Sequence, residues 1–219
     1  MIKRHYIGHD FQTLYNVLSQ SEFLTDVGAT VSYISPTISI KDADENTVFS
    51  ITRENWYSLF WRSHASSNLY ADASVGNGSY PATLDYVYSC KNGIILVVNG
   101  KSGNATSGVL PIRIVKTNLG KIAIVSRRNS LGTVQNGYRE SIDCITWGDV
   151  APLNTVWISN RYDTHYEVVP MLTNADADVI SYTDKSGSLL YSTGDLAFKI
   201  INISGKKYLS DSYFAIEDE

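Results

Sequence analysis

Gly93-Ile94-Ile95-Leu96-Val97-Val98, then Val109-Leu110-Pro111-Ile112-Arg113-Ile114-Val115, then Lys121-Ile122-Ala123-Ile124-Val125: these runs decide the fold. The first is continuous, apolar, too short for a typical helix and opened by glycine, which predicts a strand buried on both faces. In the other two, Ile112, Ile114, Ile122 and Ile124 alternate, the period of a half-buried antiparallel hairpin. Asn118 and Gly120, between them, are residue types that tolerate the left-handed backbone of a tight turn. The stretch from Cys90 to Ser126 therefore reads as the core of a β-domain, a scaffold without chemistry of its own.

Composition fits that reading. The chain has 219 residues, enough for one all-β domain with a real core, or a β-domain with a small appendage. Charged residues make up 18%, against roughly 25% in an ordinary domain. Ser, Thr, Asn and Gly fill the difference, which favours short strands joined by polar turns. A net charge of −4 argues against a nucleic-acid surface, since phosphate binding needs clustered Lys and Arg, and Arg127-Arg128 is an isolated pair. No apolar run approaches the roughly 20 residues of a membrane span, and no apolar segment follows the basic Met1-Ile2-Lys3-Arg4 as a signal peptide requires. Synthesis and folding in a cytoplasm are expected. Cys90 and Cys144 lack metal or redox spacing and are expected as buried free thiols, with a disulfide between them as the alternative.

Outside the core stretch the period changes twice. From Asp10 to Leu24, Phe11, Leu14, Tyr15 and Leu18 form one apolar helical stripe, with Asp10 as N-cap. From Ala29 onward the period is two, and strands are expected at Thr30–Ile34, Thr37–Lys41 and Thr47–Arg53, and at intervals to the C-terminus. The expected architecture is mainly β, an antiparallel sandwich or barrel with one N-terminal helix. Residues 1–26 form the helical segment and 27–219 the β-rich domain, with any subdivision falling near 160. Arg62 to Thr83, rich in Ser, Ala, Asn and Gly, reads as a long loop.

Searches for chemistry return little. Asp42-Ala43-Asp44-Glu45-Asn46 opens like a calcium loop, but Thr47 stands where the loop needs glycine and Arg53 where it needs glutamate, so an acidic hairpin turn is expected. Gly100-Lys101-Ser102 resembles the end of a phosphate-binding loop, yet Ile95 stands at the position of its first glycine. A G-x-S-x-G nucleophile elbow is missing. His5 and His9 have the spacing of two ligands on a helix, but Gly8 lies between them and no third ligand is evident. The reading is non-enzymatic, with no catalytic residue, cofactor or metal.

Two kinds of contact remain. The helix is expected to pack on the sheet or to dock on a partner subunit, and the aromatic run Trp56-Tyr57-Ser58-Leu59-Phe60-Trp61 to be a central strand or an interface one; the subunit-interface candidates are Phe11, Leu14 and Leu18, and Trp56 and Trp61. Glycan-contact candidates are Trp147, Trp157 and Tyr162, because aromatic faces stack on sugars.

Thr146-Trp147-Gly148-Asp149-Val150-Ala151-Pro152, the run from Leu172 to Thr183, and the ending from Tyr208 to Glu219 resemble virion structural proteins of tailed bacteriophages that infect Gram-positive, often gut, bacteria. The resemblance implies a structural subunit made in a host cytoplasm and located in the virion, in tail, baseplate or neck rather than as the major capsid protein. Its implied partners are copies of itself and other virion proteins, with host cell-surface glycans if it lies at the periphery, and neither nucleic acid nor membrane insertion. The alternative is a carbohydrate-binding, host-attachment module on a fibre or secreted protein.

Overall fold

A computed structural model describes residues 1–53, 59–63, 72–75, 82–100, 108–116, 120, 122–128, 139–143, 155–162, 165–169, 172–173, 179–181, 199–203, 205–210 and 214–218. In chain order the first elements are β1 (Lys3–Tyr6), α1 (Phe11–Ser19), α2 (Glu22–Asp26), β2 (Thr30–Ile34), β3 (Thr37–Lys41) and β4 (Thr47–Arg53). Then follow β5 (Leu59–Ser63), β6 (Asp72–Val75), β7 (Thr83–Cys90), β8 (Gly93–Gly100), β9 (Gly108–Lys116) and β10 (Ile122–Arg128). The last are β11 (Arg139–Asp143), β12 (Thr155–Tyr162), β13 (His165–Val169), β14 (Leu172–Thr173), β15 (Val179–Ser181), β16 (Lys199–Ile203), β17 (Lys206–Ser210) and β18 (Phe214–Glu217).

The fold is mainly β, and the described strand pairings are antiparallel. The central sheet runs β1-β7-β8-β9-β10-β11, a second runs β2-β3-β4-β5-β6, a third β13-β12-β18-β17-β16, and β14-β15 form a ribbon. These are open sheets: among the described residues there is no closed barrel. The strands expected at Thr30–Ile34, Thr37–Lys41 and Thr47–Arg53 occupy those bounds. The segment read as one long loop carries β6, which extends the second sheet from β5.

The expected single helix is two. Asp10 caps α1 as anticipated: its carboxylate accepts the Gln12 and Thr13 N–H groups at 3.0 and 3.2 Å and the Thr13 hydroxyl at 2.6 Å. The break comes at Gln20-Ser21, because the Ser21 hydroxyl accepts the Leu24 N–H at 3.4 Å and starts α2. Phe11, Leu14, Leu18, Phe23 and Leu24 are all buried, in one cluster with Ile38, Ile40, Phe49 and Ile51 of the second sheet and Leu84, Val87, Ile94, Leu96, Ile112, Ile114, Ile122 and Ile124 of the central sheet. A shift of register between Ile40 and Lys41 explains why the adjacent Val48 and Phe49 both turn inward.

Strand β8 is buried on both faces as expected. Ile94, Leu96 and Val98 join the helix-side cluster, while Ile95 and Val97 on the other face are also covered. The β9–β10 hairpin holds the expected register, with Ile114 opposite Ile124, and Gly120 sits at φ +75° in its turn. It departs from the half-buried expectation on its second face, where Arg113 and Val115 are fully buried too. On that face β18 comes close: a Cβ added at Gly93 would lie 2.8 Å from the Ile114 carbonyl oxygen and 3.0 Å from Ile216. The Asn92 amide also donates to the Glu217 carbonyl at 2.8 Å, and Lys206 pairs with the Glu217 carboxylate at 2.8 Å.

Cys90 is a free, buried thiol, which burial pushes up to about 11, while Cys144 lies outside the described residues.

Candidate functional site

Strand β1 has no apolar pattern of its own and becomes a strand by pairing with β7, Arg4 opposite Tyr88 and Tyr6 opposite Tyr86. Its residues divide between two faces. Lys3 and His5 look toward the helices, where Lys3 pairs with Glu22 at 3.2 Å. Arg4 and Tyr6 share the other face with Tyr86 and Tyr88.

Those four side chains form a row. The Arg4 guanidinium carbon lies 4.0 Å from the Tyr86 ring centre and 5.9 Å from that of Tyr88. Tyr6 meets Tyr86 edge-on with centroids 5.5 Å apart, and Tyr86 and Tyr88 are 6.5 Å apart. Tyr6 is 67% exposed although the row continues the same sheet face that Ile95, Val97 and Arg113 bury further in. Arg4 holds its cation over a ring, and the tyrosines offer flat apolar faces with hydroxyls at their rims. Such a surface suits contact with protein or sugar, and it contains no nucleophile–base pair.

The residues singled out from sequence lie elsewhere. Phe11, Leu14 and Leu18 are 6%, 0% and 0% exposed in the chain's own core, so they offer no surface to a neighbour: the helix stripe is satisfied by the two sheets. Trp61 lies on β5 opposite Ile51 and Ala73. Trp157 and Tyr162 lie on β12, opposite Val169 and His165. Trp56 and Trp147 lie outside the described residues. Thus only the backbone positions of Trp61, Trp157 and Tyr162 are fixed, on two different sheets.

The acidic turn behaves as a turn. Asp42 Oδ1 accepts the Asp44 and Asn46 N–H groups at 3.0 and 2.9 Å, and Glu45 pairs with Lys41. His5 sits in a strand and His9 follows it in a left-handed conformation at φ +66°, so the two are not on a helix. Among the described residues no group of three His, Cys, Asp or Glu could hold a metal ion.

The row itself escapes the sequence reading. Its one local signal is the spacing Tyr86-x-Tyr88 within a strand. Arg4 and Tyr6 join only through pairing with a distant strand.

No protein-family model, curated protein or solved structure matches this chain. The functional reading therefore rests on its own residues.

Proposed function

We propose that this chain is a non-enzymatic structural subunit of a tailed-phage virion, associated with tail, baseplate or neck, which meets copies of itself and other virion proteins through symmetric contacts. The observation that supports the reading best is the row of exposed Arg4 and Tyr6 beside half-buried Tyr86 and Tyr88, at the edge of an otherwise covered sheet face. Tyr and Arg are the residue types enriched where protein surfaces meet. Closed symmetric assemblies repeat one such patch on every subunit.

Light scattering on the purified protein across a concentration series tests this. A stable oligomer, ring-sized or trimeric, is expected; a monomer at every concentration counts against self-assembly.

The same tyrosines favour one second reading, a carbohydrate-binding, host-attachment module. It predicts a glycan-array signal that disappears in Tyr6→Ala. A signal that survives this change, or none at all, removes that reading.

A further inference from the structure

A second feature lies at the start of the helical segment. Where β1 hands over to α1, the backbone of Gly8 to Phe11 faces the β2–β3 turn and the end of β4 across a cleft of about 380 Å³. Asp10, Phe11, Tyr33, Ser35, Pro36 and Arg53 line it together with His9. Arg53 is its organising group. One guanidinium nitrogen donates to the His9 carbonyl, the guanidinium carbon lies 5.2 Å from the Phe11 ring centre, and its backbone N–H donates to the Pro36 carbonyl at 3.2 Å.

This cation has no carboxylate in ion-pair contact among the described residues. Asp10 lines the same cleft, but its carboxylate is tied to the first turn of α1, and Arg53 is the weakest of the influences on it. Burial and then Arg53 lower the His9 pKa, against a smaller raising effect of Asp85. The buried His9 Nδ1 has no hydrogen-bond partner, and its backbone holds a left-handed conformation that a non-glycine residue adopts at a cost. Such strain collects at ligand sites.

We infer that this cleft binds a small organic carboxylate, its carboxylate on the open edge of Arg53 and its ring-sized body against Phe11, Tyr33 and Pro36. A guanidinium presents five N–H donors in a planar fork that matches a carboxylate, and the contacts above use one of its nitrogens. Ser35 supplies a hydroxyl at the same wall. The volume stands at the small end of ligand sites, which run from roughly 300 to 1,000 Å³, and limits the body to about one ring. The inference does not depend on the virion reading.

The test is an amide-resolved NMR titration of the full chain with benzoate and glucuronate, each beside its uncharged match, benzyl alcohol and glucose. Saturable shifts at residues 8–11, 33–35 and 53 are expected for at least one carboxylate and not for its match. They weaken as salt rises. Arg53→Lys keeps the charge without the fork and weakens binding about tenfold; Arg53→Gln abolishes it. The salt series on the unaltered protein decides the matter if the Gln variant fails to fold. Absence of saturable shifts with both carboxylates, equal response to the uncharged matches, or unchanged binding in a folded Arg53→Gln protein overturns the inference.

Discussion

The two ends of one sheet face are used differently. Around β8 and β9 the face is closed: Ile95, Val97, Arg113 and Val115 are buried, and Ile216 lies against Gly93. Toward β1 the same face carries Arg4, Tyr6, Tyr86 and Tyr88 and opens to solvent, with Tyr6 67% exposed. At the closed end the side chains are branched aliphatic, with the fully buried Arg113 among them, and fill space. At the open end they are amphipathic and stack on one another with polar rims. The closed end gives stability, and the open end is the contact surface proposed above.

That contrast can be broken at its closed end first. Leu96→Ala, at a fully buried helix-side position of β8, is expected to cost about 2–5 kcal/mol in a denaturant titration. Gly93→Ala is expected to cost about 1–3 kcal/mol, because the new methyl meets a backbone carbonyl that cannot swing away. A Gly93→Ala protein as stable as the original would mean that the Ile114 carbonyl and Ile216 do not crowd this position. At the open end, Tyr6→Ser is expected to change stability by less than about 0.5 kcal/mol, since its ring is mostly exposed.

Two chemical tests sharpen the same contrast. Cys90, at the end of β7, has its thiol pushed up to about 11 by burial, so alkylation at pH 8 is expected to be far slower than for a free thiol and still rising above pH 9. Rapid labelling of the native protein would place this end of the sheet at the surface. The smallest effect is that of His9. Its folded pKa is lowered from the usual 6.5, so the unfolded chain takes up the proton first. The stability it contributes is present above 6.5 and declines as pH falls toward the lower folded value. Melting temperature against pH should therefore lose part of its acid slope in His9→Asn, a residue that also tolerates the φ of +66°.

Much of the fold was legible because it is written locally. The alternation of Ile112, Ile114, Ile122 and Ile124 gave the hairpin face, and the unbroken run from Ile94 gave a strand covered on both sides. What covers a strand's second face is not local. Arg113 reads as the solvent side of an alternating strand, yet it is fully buried within a face that β18 approaches from far along the chain. The helix stripe was legible as a stripe, and of its two expected uses, packing on the sheet or docking on a partner, the core takes Phe11, Leu14 and Leu18 for the first, because periodicity shows an apolar face but not what fills it. β1 shows the reverse: Lys3-Arg4-His5-Tyr6 has no strand signal, and pairing with β7 makes it one. The cleft was least visible. Arg53 drew notice as a residue unfit for a calcium loop, and its setting depends on His9, which only the folded chain brings to it.

The most direct test of the account is the solution mass, by analytical ultracentrifugation across a concentration series, of the unaltered protein beside an Arg4→Ser/Tyr6→Ser variant of matched thermal stability. The account predicts a stable oligomer for the first and a shift to monomer for the second. An unaltered protein that stays monomeric throughout, or a variant that assembles equally well, would contradict the claim that the open end of the sheet is the contact surface.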